Sequence, residues 1–355
     1  MLQRLAPPAT FVPSLFLLFL LFLLFVLSLA APTRAYAQFT APRGLQSAQL
    51  AIVINDADPD SVAVGAYYRK ARQLPAANVV HVSIPGKPKR IDPNQFARLR
   101  EKIDSQLPAG IEAVLMVWTA PYAVNCNSIT SAYTLGYDEA QCRNGCAAGK
   151  PSPYYNANVA RPFSEFGMRL SMLLPTDSVA DAKALIDRGV ASGFRTVPAS
   201  AYYLVTSQTA RNSRAPMFPR SAAIPARKFT IKTARADVLE DKHDIMVYQT
   251  GVAKVDKLDT LTFLPGALAD HLTSFGGDLL GTDQMSSLRW LKAGATASYG
   301  TVSEPCNHWQ KFPQPAVLLQ HYLNGASAIE AYWRSVAWPA QGLFIGEPLA
   351  APYRR

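Results

Sequence analysis

The sequence predicts an α/β protein built on a mostly parallel sheet with helices on both faces. Three observations predict it. Short apolar runs rich in Val, Ile and Leu recur without polar alternation, beginning with QLAIVIN (Gln49 to Asn55), NVVHVSI (Asn78 to Ile84) and IEAVLMVW (Ile111 to Trp118). Strands buried on both faces read this way. Segments of helical spacing, Ser61 to Arg72 and Pro93 to Gln106, separate these runs and give a β-α-β-α-β order, the pattern of parallel strands joined by helical crossovers. Finally, the stretch from Thr260 to Pro313 concentrates reactive side chains at two expected strand ends, where open α/β sheets bind ligands.

The chain opens with a targeting segment. Arg4 gives a weakly basic start, Leu15 to Ala31 is apolar apart from Ser28, and Ala35-Tyr36-Ala37 forms a small-x-small cleavage site before Gln38. Residues 1–37 are expected to be a cleaved signal peptide, with a retained N-terminal anchor as the alternative. The protein is then exported, to the periplasm or beyond. No later run is long and apolar enough to cross a bilayer. Residues 38–355 are expected to form a single α/β domain. Should it divide into two lobes, 38–200 and 225–355, the break falls between Gly193 and Pro225.

Lys and Arg number 35 against 25 Asp and Glu, a net charge of +10. The basic residues are scattered, and no run exceeds Lys87-Pro88-Lys89-Arg90, so the charge reads as diffuse and solubilising. An exported chain without a basic aromatic platform is a poor nucleic-acid binder. Cys126, Cys142, Cys146 and Cys306 make an even set. In an oxidising compartment this points to disulfides whose pairing the sequence leaves open.

Beyond the third strand, residues 119–163 lose periodicity and hold three of the four cysteines. This is expected to be an ordered Cys-rich insertion over the sheet's carboxyl edge. Met168 to Leu174 resumes the pattern. A helix follows from Val179 to Ala191, with Ser178 as N-cap and Asp181 at N3. Ala201 to Thr206, Phe229 to Thr233 and Asp244 to Tyr248 read as strands, with a basic, Pro-containing loop from Arg211 to Pro225. Thr260 to Leu264 is an apolar run ending at Pro265-Gly266. A helix carrying Asp270, His271 and Ser274 is expected next, broken by Gly276-Gly277. A second amphipathic segment holds Met285, Leu288 and Leu291. Gly294 to Val302 reads as a small-residue strand opening into Glu304-Pro305-Cys306-Asn307-His308-Trp309. Ala316 to Tyr322 and Ala326 to Val336 close the chain as helices, and Gly342 to Ile345 as a strand.

Cys306 and His308 form the sharpest local pair, because i and i+2 share one side of a strand and a thiol nucleophile needs a base or positive neighbour. The competing role for Cys306 is a disulfide, with Cys126 its natural partner across the same edge. Asp270, His271 and Ser274 supply the residue types of a hydrolase triad, although a triad draws its members from separate elements and no G-x-S-x-G elbow exists. Asp270 as a cap and His271 as a packed side chain are the alternatives. Glu304 is a candidate base or an Arg partner. Trp118, Asn125, Tyr248, Thr250, Asn307 and His308 are candidate binding residues at the strand ends. Metal-ligand spacing is absent, since Cys142 and Cys146 lie too far apart for the usual zinc pair. Asp56, Asp58 and Asp60 lack the Gly and later Glu of a calcium loop. No phosphate loop occurs, so neither metal nor cofactor is implied.

The runs PGALADHLTSFGG, QMSSLRWLKAGATASYGTVSEPCN, KFP, EAYWRSV and GLFIGEPLA, with YYRKARQLPAANVV earlier, resemble an exported bacterial family of unassigned activity found in genomes that carry exosortase. That resemblance implies a partner in envelope protein sorting or exopolysaccharide machinery. A more distant resemblance is to gingipain-type cysteine peptidases of the caspase-like clan, through the Gly-Ala-rich strand Gly294 to Gly300 and the terminal Gly346-Glu347-Pro348. It implies a caspase-like sheet. Tyr248-Gln249-Thr250-Gly251 and Phe263-Leu264-Pro265-Gly266 stand where that clan places its His and Cys. The functions so implied are a diverged or inactive cysteine-peptidase-like protein, a non-catalytic binding or assembly factor for envelope polymers, or a hydrolase using Asp270, His271 and Ser274.

Overall fold

Leu50–Asn55 (β1) is followed by a helix, Pro59–Ala71 (α1), whose start is fixed by its own sequence. Asp58 accepts the Asp60 N–H at 3.1 Å and Pro59 occupies the first turn, where its missing N–H costs nothing. In the same way the Asp92 carboxylate caps Pro93–Asp104 (α2), and the Ser178 hydroxyl accepts the Asp181 N–H at 3.2 Å to open Val179–Ala191. The structure is a computed structural model that describes residues 44–193 and 197–355; the expected signal segment lies outside the described residues.

The further strands are β2 (Val79–Val82), β3 (Arg90–Ile91), β4 (Ala113–Val117), β5 (Ala123–Val124), β6 (Asn127–Ser128), β7 (Leu170–Leu174) and β8 (Ala199–Val205). They continue as β9 (Ala222–Ile224), β10 (Phe229–Arg235), β11 (Ile245–Thr250), β12 (Phe263–His271), β13 (Ala297–Thr301) and β14 (Gly342–Gly346). Eleven of the strands form one sheet in the order β2-β1-β4-β7-β14-β13-β12-β11-β8-β10-β9, while β3, β5 and β6 make a small separate sheet. Pairing is parallel through β2-β1-β4-β7 and through β13-β12-β11-β8-β10. β14 runs antiparallel to β13, and β9 antiparallel to β10. This is the expected α/β class. β14, near the end of the chain, pairs with β7, so both halves of the sequence share one sheet.

Helices cover both faces. Trp290, on the helix Leu288–Ala293, packs edge-on against Tyr248, while Tyr332, on Ala328–Ser335, reaches Asp270. Tyr248 aligns with Ala269, the neighbour of Asp270, and alternate residues of a strand face opposite ways.

One expected element is different. Asp270 and His271 lie on a nine-residue strand, β12, and not on a helix. Ile245 aligns with Phe263 but Val247 with Leu268, so residues 264–267 bulge out where the sequence has Pro265-Gly266. Gly266 takes φ +91° there, with Ser192 and Pro352 pressed against it. Pairing with β11 and β13 on either side outweighs the helical preference of the Ala-Leu-Ala run.

A buried ion pair fastens the far end of β14. The Glu347 carboxylate, fully buried, accepts from Arg72 at 2.9 and 2.5 Å and from the Tyr68 hydroxyl at 2.7 Å. Removing one partner leaves an uncompensated buried charge. Arg72→Ala is expected to cost about 3–5 kcal/mol, read as a lowered midpoint in urea unfolding.

Candidate functional site

The loops after β2, β4, β12 and β13 meet. Arg90 donates to the carbonyls of Asn125 and Val302, each at 2.6 Å, and Lys89 to that of Leu280 at 3.0 Å. The Tyr122 hydroxyl donates to Asp278, and the Ser303 hydroxyl to the Cys126 carbonyl at 2.7 Å. Gly276-Gly277 is more than a turn. A Cβ on Gly300 would lie 2.3 Å from the Gly276 carbonyl carbon, and the Gly277 N–H donates to Thr301 at 2.8 Å. Only bare backbone permits this approach of the loop after β12 to β13.

All four cysteines are bridged, as Cys126–Cys142 and Cys146–Cys306, with Cα separations of 5.2 and 5.1 Å. This replaces the expected Cys126–Cys306 pairing, and it leaves Cys306 without a thiol. Cys126 finds its partner within the insertion, while the second bridge ties the insertion to the turn after β13. Cys306 and Asn307 both adopt φ +57°, and the Glu304 carboxylate holds that turn by accepting the Cys306 N–H at 2.7 Å. His308 donates through Nε2 to the Cys146 carbonyl at 2.9 Å. Lys311 donates to the Gly145 carbonyl; burial pushes its ammonium down to about 8. Glu304, His308 and Lys311 therefore fasten the insertion. None of them serves Cys306 as a base.

Asp270 and His271 point to opposite faces of β12 and both are 1% exposed. Asp270 is paired with Arg214, itself 1% exposed. It also accepts from Gln249 at 2.9 Å and the Tyr332 hydroxyl at 3.3 Å. Arg214 in turn donates to the Thr250 carbonyl at 2.9 Å. On the other face, His271 Nδ1 accepts the Trp290 indole N–H at 2.9 Å, which leaves the ring's proton on Nε2. Burial first, then the Arg214 charge, push the imidazole down to about 3. It is neutral, with its basic lone pair already engaged. Ser274 lies beyond the strand, half-buried, and its carbonyl accepts the Thr301 hydroxyl at 2.8 Å. No hydrogen bond joins it to Asp270 or His271 among the described residues.

Of the expected binding residues, Trp118 and Tyr248 are fully buried. The Trp118 indole donates to the Pro121 carbonyl at 2.9 Å, and Tyr248 packs on Trp290. Thr250 is also fully buried. Strand-end position brought these three to attention, but their side chains turn inward. Asn125 is exposed, Asn307 and His308 are half-buried, and the His308 ring centroid lies 5.9 Å from that of Trp338. The partners that decide the chemistry, Arg214, Trp290 and Tyr332, were not among the expected site residues. Arg214 looked like any other base in the loop from Arg211 to Pro225.

No family model and no curated protein matches this chain. Among solved structures it is similar to the Arg-specific cysteine proteinase gingipain R, at 10% identity, 88% of this chain, 80% of that one and a TM-score of 0.46. A second similar structure is described as a protease (11% identity, 87% and 79%, TM-score 0.48). A third is the complex of pro- and mature domains of a Porphyromonas gingivalis gingipain (10%, 85% and 79%, 0.42). At such identities residue roles must be read from this chain itself.

Two outcomes follow from the geometry. Asp270→Ala strands the Arg214 guanidinium in the core, so the variant is expected to lose about 3–5 kcal/mol in chemical denaturation. His271 is expected to show no NMR titration between pH 8 and 4.5. Because its folded pKa is depressed, the unfolded chain binds the proton first. Its contribution to stability is therefore present above about pH 6.5 and is lost as pH falls toward 3; denaturation midpoints measured across that window check the sign.

Proposed function

We propose that this chain is an exported, disulfide-locked binding or assembly protein that works through the loop surface at the strand ends and performs no thiol or triad hydrolysis. The observation that carries the reading is the Cys146–Cys306 bridge, which occupies the one cysteine placed beside a histidine. Support also comes from His271, whose lone pair is engaged by Trp290, and from Asp270, whose charge is engaged by Arg214. A nucleophile needs an available base within reach, and His271 and Asp270 are both committed to structure.

Two disulfides fit folding in an oxidising compartment, which agrees with the signal segment read in the sequence. The surface left for a partner is the pinned insertion and the turn after β13, where Asn125, Asn307 and His308 remain accessible. Amides and an imidazole beside an indole suit hydroxyl-rich polymers or peptide backbones better than an apolar ligand. The sorting or exopolysaccharide machinery of a bacterial envelope is the partner class the sequence resemblance implies. On the same reading the chain is a diverged relative of cysteine peptidases; the expected Cys position at Phe263 to Gly266 falls at the start of β12, and the carboxyl end of that strand, beside Thr250 of β11, carries His271 instead.

The test is mass mapping of the protein purified from the periplasm and alkylated without reductant. None of the four cysteines is expected to carry the label. If Cys306 alkylates at neutral pH while Cys142 and Cys146 do not, a thiol enzyme replaces this reading.

A further inference from the structure

The two edges of the large sheet are treated differently. At one edge, the Gln106 side chain acts as a substitute strand: its carbonyl accepts the His81 N–H at 3.2 Å and its amide donates to the His81 carbonyl at 3.1 Å. The outward backbone groups of His81, within β2, are thereby closed. At the other edge no side chain among the described residues does this for β9.

The direction of the β9 backbone follows from its neighbours. The Lys228 carbonyl accepts from Ala199 at 3.1 Å and the Ala236 N–H donates to Val205 at 3.1 Å. Even-numbered residues of β10 therefore address β8, and odd-numbered ones address β9. Phe229 aligns with Ile224 and Ile231 with Ala222, so Ile224 and Ala222 spend their backbone groups inward. Ala223, between them, points its N–H and C=O to solvent. Ala222 and Ala223 are both exposed, small enough for another backbone to come close. From Ser207 to Arg235 there is no Asp or Glu. Arg220, Lys228 and Arg235 are exposed and make no ion pair among the described residues. Lys232 is paired with Asp244 at 3.6 Å.

We propose that β9 is a docking edge for an acidic peptide segment that adds to the sheet as an extended strand. An unpaired edge is a template for another strand; main-chain hydrogen bonds would hold the segment at Ala223, and Arg220, Lys228 and Arg235 select its charge. The same basic residues disfavour pairing with a second copy, which would set like charges side by side. This surface is separate from the loops assigned to the proposed function.

Ala223→Pro removes the outward N–H and no hydrogen bond to β10, and proline is tolerated at such an edge position. A fluorescein-labelled heptapeptide alternating Glu and Val is expected to bind the full chain by anisotropy, and its Lys/Val counterpart not to bind. Ala223→Pro and the double variant Arg220→Glu/Lys228→Glu are each expected to weaken binding at least tenfold, with an unchanged thermal midpoint. Should the proline variant misfold, hydrogen exchange on the wild type decides: the peptide protects the Ala223 amide. Absence of binding, absence of protection, or binding insensitive to a well-folded Ala223→Pro overturns the proposal. So does a dimer in sedimentation that Ala223→Pro abolishes, because the occupant is then a second copy.

Discussion

The contact between Arg214 and Asp270 is the constraint around which the second half of the chain is assembled. Two ions taken out of water cost several kcal/mol each, a cost that only good geometry and further hydrogen bonds offset. Here the further bonds come from different elements: Gln249 and the Thr250 carbonyl on β11, Tyr332 on the last helix, and the Pro313 carbonyl at 3.3 Å ahead of Pro315–Leu323. Pairing one guanidinium with one carboxylate and their shared partners thus fixes a loop, two strands and a helix relative to each other. The arrangement is specific more than it is stabilising, since an apolar replacement of the whole set would avoid the desolvation.

The reactive residue types in this region are used for construction. Asp270 holds an arginine, His271 receives an indole N–H, Glu304 and His308 hold a turn and a carbonyl, and Cys306 closes a bridge. For Asp270, His271 and Cys306 the role takes up the charge, lone pair or thiol that catalysis would need. What stays available is shape: a Cys-pinned insertion and a rigid turn lying where several strand ends converge. For the proposed binding role such a surface is preorganised, because its ordering cost is met during folding.

Most of the sheet was legible. Apolar runs gave nearly every principal strand, and Ser178 with Asp181 gave the start and the extent of Val179–Ala191. β12 was not legible. Its Ala-Leu-Ala-Asp-His run favours a helix locally, and a buried Asp-His pair contradicts the expected pattern of a central strand. The residues that make that burial tolerable, Arg214 and Trp290, are distant in sequence. The candidate site suffered in the same way. Position at a strand end could be read, but the direction of Trp118, Tyr248 and Thr250 could not, because each turns inward to partners that only the folded chain supplies. Cysteine pairing likewise depended on which loops the fold brings together.

The Cys146–Cys306 bridge spans 160 positions and encloses β7 through β13. This part of the molecule is therefore a closed covalent ring, threaded through both halves of one sheet. A single peptide-bond cleavage anywhere within the ring, including the exposed stretch around β9, opens the chain without releasing a fragment. The two pieces stay joined by sulfur and by the strands they share. In a compartment where proteases act but thiol reductants are scarce, a nicked molecule would remain one body with its loop surface in place.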